Sequence, residues 1–118
     1  MKDLGQSPDV AIFVLPDVFV QVHRTLIIKL AEHYRLPAIY PYRFFPTSGG
    51  LLSYGIDTII VFRQAAGYAD KILKGTAPND FPVQAPLAFK LIINLKAANA
   101  IGLNIPESFL LRADEVIE

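Results

Sequence analysis

Six apolar residues in unbroken succession, Val10-Ala11-Ile12-Phe13-Val14-Leu15, lead through Pro16-Asp17 into apolar positions spaced by three and four. That order constrains the fold more than any other feature of the chain. An apolar run without alternation reads as a strand covered on both faces, as in a parallel sheet. Asp17 stands where a helix N-cap belongs. Beyond it Val22, Leu26, Ile27, Leu30, Ala31 and Tyr34 share one face, with Arg24, Lys29 and Glu32 opposite. Arg35-Leu36-Pro37 breaks this helix, and Pro37 to Tyr40 forms a second short apolar strand. The opening of the chain therefore predicts a βαβ unit with the crossover usual for parallel pairs.

The remainder continues the alternation. Pro41 to Gly50 is irregular and carries Tyr42, Phe44 and Phe45; Leu51 to Tyr54 reads as a third strand ended by Gly55, and Asp57 can cap the next helix. In that helix Ile59, Phe62, Ala66, Ala69 and Leu73 form an apolar stripe, and Gly75 stops it. Ala77 to Pro86 is a proline-spaced connector expected to be extended and on the surface. Phe89 to Leu95 alternates as a strand with one face more exposed. Lys96 to Ile101 is a short helix ended by Gly102, and Pro106 opens another that reaches Arg112. The expected class is α/β, a short, mostly parallel sheet with flanking helices.

Length and composition bound the functions open to such a chain. A folded chain of 118 residues can bury about two-thirds of its surface, enough for one core. With 53% hydrophobic residues and a mean hydropathy of +0.38, it carries more apolar surface than so small a domain normally hides. Eleven basic side chains balance 11 acidic ones, and the pI is near 6.7, which provides no electrostatic footprint for nucleic acid or an anionic membrane. Zero cysteines exclude disulfides, thiolate catalysis and sulfur-ligated zinc, and leave the redox compartment open. The longest apolar run, Val10 to Pro16, falls far short of the ~18 residues that span a bilayer. Met1 to Asp9 has an acidic residue beside its lysine and no apolar core, so no signal peptide is expected there.

Catalytic constellations are not apparent. His23 and His33 lie ten apart on the polar side of their helix, too far for a metal pair, and read as solvated surface. No Gly-x-Ser-x-Gly elbow occurs, and Gly49-Gly50 lacks the Lys and Ser/Thr of a phosphate-binding loop, so it reads as a turn. No enzyme activity, cofactor or metal is expected. Ligands of open α/β sheets bind outside the carboxyl ends of the strands. Asp17 lies at one such end and Ser53-Tyr54-Gly55 at another. Each also has a plain structural reading: a cap, a packed ring, a turn. Tyr40, Tyr42, Phe44 and Phe45 suit either stacking on a flat ligand or filling between loop and sheet.

Three stretches carry a family resemblance: Arg35-Leu36-Pro37-Ala38-Ile39-Tyr40-Pro41-Tyr42-Arg43, Gly49-Gly50-Leu51-Leu52-Ser53-Tyr54-Gly55, and Ala65-Ala66-Gly67-Tyr68-Ala69-Asp70-Lys71-Ile72-Leu73-Lys74-Gly75. Together with Phe89 to Ala98, Ile101-Gly102-Leu103, Ile105-Pro106 and Arg112 to Glu118, their succession resembles the C-terminal part of ABC-transporter substrate-binding proteins of the type I periplasmic-binding fold. The likeness runs from about Asp9 to Glu118. It departs at Phe44-Phe45-Pro46-Thr47-Ser48, where the family usually has an acidic, glutamate-containing run.

The resemblance implies a non-enzymatic solute receptor, of which residues 1–118 are a single partial α/β domain from a two-lobed body. Asp17, Ser53, Tyr54 and Tyr42 would face a cleft holding a small molecule, an amino acid or aromatic compound. The implied partner is an ABC permease and the implied location the periplasm. The Asp57 to Lys74 helix would belong to the other lobe, so its apolar stripe, left uncovered, predicts a homo-oligomer. The alternative is a free-standing self-association or partner-binding domain that has lost its ligand.

Overall fold

The computed structural model describes residues 1–6, 9–85 and 88–118; Pro86, the end of the expected connector, lies outside the described residues, as do Ser7 and Pro8. Strands β1 (Ile12–Phe13), β2 (Ala38–Tyr40), β3 (Leu52–Ile56), β4 (Phe89–Asn94) and β5 (Glu115–Ile117) form one sheet in chain order. The β1–β2, β2–β3 and β4–β5 pairings are parallel and β3–β4 is antiparallel. This is the expected α/β architecture, with a mostly parallel sheet. Helices α1 (Val18–Val22), α2 (Arg24–His33), α3 (Phe44–Thr47), α4 (Thr58–Leu73), α5 (Leu95–Ile101) and α6 (Glu107–Leu110) complete it.

The main core forms where α2 and α3 pack on the first strands, from Val14, Ile28, Ala31, Ala38, Tyr40 and Phe45. Ile92, Ile93 and Ala98 are also buried, on β4 and α5. Asn94 closes β4 and caps α5: its Oδ1 accepts from Ala97 N at 3.1 Å, while its Nδ2 donates to the Pro46 carbonyl at 2.8 Å. Gly102 ends α5 at φ 74°, the left-handed C-terminal turn that the sequence suggests.

Several local expectations are corrected. The first strand is two residues rather than six and is not covered on both faces: Phe13 is 66% exposed, because β1 is the sheet edge and no described element packs over that side chain. The single helix expected after Asp17 is broken at His23, whose Nδ1 lies 2.9 Å from the Phe19 carbonyl and whose ring packs 4.2 Å from the Phe19 ring. His23 is thus half-buried and engaged rather than simply solvated. α3 forms inside the stretch expected to be irregular, and β3 continues through Gly55 to Ile56. β4 is not an alternating strand; burial deepens along it, from exposed Phe89 and Lys90 to buried Ile92, Ile93 and Asn94. The final strand β5 is absent from the sequence reading.

Helix α4 stands apart. Asp57 caps it as expected, yet none of its 16 residues is buried. Ile59, Phe62 and Leu73 are 65%, 76% and 87% exposed, which makes the apolar stripe an open surface.

Candidate functional site

Since β1, β2 and β3 run one way and β4 and β5 the other, the carboxyl ends of the first three share an edge with the amino ends of the last two. A cleft of about 110 Å³ opens there, between Pro41, Tyr42, Arg43 and Phe44 after β2, Ser53 and Gly55 to Ile59 along and beyond β3, and Lys90 and Ile92 on β4. Register decides which side chains enter. Ser53 pairs with Ile92 and Gly55 with Lys90, and all four line the cleft. Tyr54 pairs with Leu91 and therefore points to the other face, where its ring stacks on Phe89 at 5.9 Å.

Gly55 makes the floor possible. A Cβ there would lie 2.0 Å from the Pro41 carbonyl oxygen, so only a residue without one lets the chain after β2 lie against β3. That chain is braced by aromatic rings. Tyr42 stacks on Phe44 at 5.3 Å, Phe44 on Phe45 at 4.9 Å, and Phe45 on Tyr40 at 4.7 Å. Tyr40 and Phe45 are the buried end of this stack, and burial pushes the Tyr40 phenol up to about 12. Tyr42 and Phe44 are its cleft end. Tyr40 and Phe45 thus fill between loop and sheet, while Tyr42 and Phe44 line the cleft.

Two ion pairs frame the opening. Lys90 Nζ lies 2.8 Å from Asp57, whose carboxylate also accepts from Ile59 N at 3.0 Å and Ile60 N at 3.4 Å. The Lys90 hydrogen bond, helped by these backbone donors, holds the Asp57 carboxyl below its ordinary value, and Asp57 in turn raises Lys90. Arg43 reaches across to Glu115 at the start of β5, donating from Nε at 3.0 Å and Nη2 at 2.8 Å.

Of the four candidate ligand residues, Ser53 and Tyr42 meet in the cleft. Ser53 is 2% exposed and forms its inner wall. Asp17 lies at the same sheet edge, beyond β1, where its carboxylate caps α1 by accepting from Phe19 N at 2.7 Å. Tyr54 is on the opposite face. The sequence offers no signal that marks Arg43, Asp57 and Lys90 as site residues. Arg43 and Glu115 are 72 residues apart, and no spacing rule joins them. Among the described residues no cluster of three or more His, Cys, Asp or Glu could hold a metal ion, and no helix is long and apolar enough to cross a membrane.

Residues 1–117 match the family described as ABC transporter substrate binding protein. A conserved domain protein from Vibrio cholerae superposes at a TM-score of 0.85 with 30% identity, over 98% of this chain and 38% of that one. The ABC domain in complex with L-Trp from Streptococcus pneumonia superposes at 0.82 with 30% identity, over 91% and 36%. An open, ligand-free substrate binding protein with adhesive properties from Clostridium difficile shares the fold at 0.59 and 22% identity, over 90% and 36%. No curated protein matches the chain. The chain spans less than two-fifths of the length of these solved structures. With the family matched over nearly every residue, the chain belongs to the ABC transporter substrate-binding proteins.

Proposed function

We propose that these residues supply one wall of the ligand cleft of a non-catalytic solute receptor serving an ABC importer, and that the solute is a small aromatic amino acid or a related compound. The observation that carries the reading is the cleft at the carboxyl ends of β2 and β3, where Tyr42, Phe44 and Ser53 converge beside two ion pairs. Its volume of about 110 Å³ is well below the ~300–1,000 Å³ of an enclosing ligand site, as suits one wall of a two-walled cleft. The L-Trp complex of the Streptococcus relative, which this chain matches at 30% identity, favours an aromatic amino acid. In this reading residues 1–118 are a partial domain of a two-lobed body, Ser53 and Tyr42 contact the solute, Asp17 acts at the rim, and Tyr54, on the opposite sheet face, takes no part in this cleft. The receptor would work in the periplasm or its equivalent and deliver to a permease.

The chain has no tryptophan, so indole emission reports the ligand alone. Titrating L-Trp with the chain should shift and strengthen that emission saturably, and Tyr42→Ala should weaken binding about five- to tenfold through the lost ring contact. Unchanged emission at millimolar protein would overturn the reading.

A second reading, self-association, is favoured by a different observation: no residue of α4 is buried, and its Ile59, Phe62 and Leu73 are open to water. Sedimentation across a hundredfold concentration range tests it. A monomer throughout would remove it.

A further inference from the structure

We infer that Arg43 anchors a carboxylate of the bound solute and that Glu115 is the residue that positions it. This rests on the cleft being the ligand site, as proposed above. A guanidinium is planar and carries five N–H donors, which offer two forks, each of two parallel N–H bonds. Glu115 occupies one fork only, through Nε and Nη2. The other, made by Nη1 and the second hydrogen of Nη2, has no partner among the described residues, on a side chain that is 58% exposed and lines the cleft.

Arg24 lies over the Phe44 ring, 5.8 Å from its centroid, with Nη1 donating to the Gln21 carbonyl at 3.5 Å, and does not itself line the cleft; other ionised groups at this edge serve the fold. Asp57 caps α4 and pairs with Lys90, and Asp114 accepts the Leu91 N–H at 2.8 Å. Lys90 offers a compact point charge rather than a planar fork. Arg43 is held by Glu115 through both donors of one fork. Glu115 sits opposite Ile92 in the β4–β5 register, and Arg43 lies between Tyr42 and Phe44 in the chain, whose rings stack on each other. So exposed an ion pair adds little to stability, but it sets the direction of the guanidinium before a ligand arrives. A planar donor fork beside paired aromatic rings fits a carboxylate borne by a flat apolar group.

The test compares two indoles that differ in their charged end, indole-3-propionate and tryptamine, by ligand fluorescence with the full chain. Indole-3-propionate should bind about ten- to a hundredfold tighter. Arg43→Gln should remove that preference and leave tryptamine unaffected; Arg43→Lys, which keeps the charge but loses the fork, should remove most of it. Circular dichroism of each variant checks folding. Glu115→Gln separates positioning from charge. By Coulomb's law alone, deleting a negative charge beside the site tightens an anion, whereas a positioning role makes indole-3-propionate bind more weakly.

Tightening by Glu115→Gln would overturn the role of Glu115. Equal binding of the two indoles, or an Arg43→Gln variant that keeps the preference, would overturn the anchor and leave the cleft reading standing. Failure of the wild-type chain to bind either indole would remove the cleft reading and the anchor with it.

Discussion

Gly55 and Asp57, two residues apart, both hold β3 in place, by opposite means. Gly55 acts by lacking a Cβ: Gly55→Ala would place that atom 2.0 Å from the Pro41 oxygen and drive the two segments apart. We expect a loss of about 1–3 kcal/mol, read by urea denaturation, together with weaker ligand binding as the cleft opens. Asp57 acts by charge. Its folded-state carboxyl lies below the ordinary 3.8, so its contribution is present above that value and is lost as pH falls from there through the lowered one. Lys90 mirrors it, contributing below 10.5 and losing that contribution as pH rises through its raised value. Denaturation midpoints measured from about pH 6 to about pH 2.5 should therefore fall more steeply for wild type than for Lys90→Met. Parallel curves would show that the pair is not coupled to folding.

Asn94 makes the same kind of connection between elements. One side chain caps α5 and ties the α3 loop to β4, and it does so while only 6% exposed. Asn94→Ala removes the cap and leaves the Pro46 carbonyl without that donor, at a cost of about 2–3 kcal/mol that thermal denaturation should register. Elements whose determinants are local were legible from sequence: the Asp17 and Asp57 caps, the Gly102 stop, the strand at Ala38–Tyr40. Those set by distant contacts were not. β5 is three residues, Glu115–Ile117, with little pattern of its own, and exists because β4 pairs with it. The break at His23 is the exception, a local contact with Phe19 four residues back that no spacing rule announces. The site divides in the same way. Ser53 and Tyr42 could be chosen from strand ends alone, but the β3–β4 register, which sends Tyr54 away and brings Lys90 in, has no one-dimensional signature.

Taken whole, the chain is elongated, with extents of 58 × 32 × 20 Å and a radius of gyration of 17.8 Å, against about 13.5 Å for a compact chain of this length. Its accessible surface of 8373 Å² exceeds the roughly 6,400 Å² expected at 13.1 kDa. The hydrophobic excess noted in the sequence is thus displayed largely as surface, on α4 and on the segment from Phe13 to Leu26. Small-angle scattering from dilute monomer should return a radius near 17.8 Å; a value near 13.5 Å would mean that α4 folds back onto the sheet. Phe62→Lys, on the open stripe, should leave the monomer's stability within about 0.5 kcal/mol while abolishing any concentration-dependent association seen by sedimentation. The helix is fastened to the sheet at its first turn, by the 3.0 Å bond from Asp57 N to the Ala88 carbonyl and the 2.8 Å pair of Asp57 with Lys90. That waist makes α4 a lever about 24 Å long. A tilt of about 10° swings its Leu73 end through roughly 4 Å. Thr58 and Ile59, at the fulcrum and in the cleft wall, would scarcely move, so a partner gripping the far end could be reoriented without disturbing the floor beneath the solute.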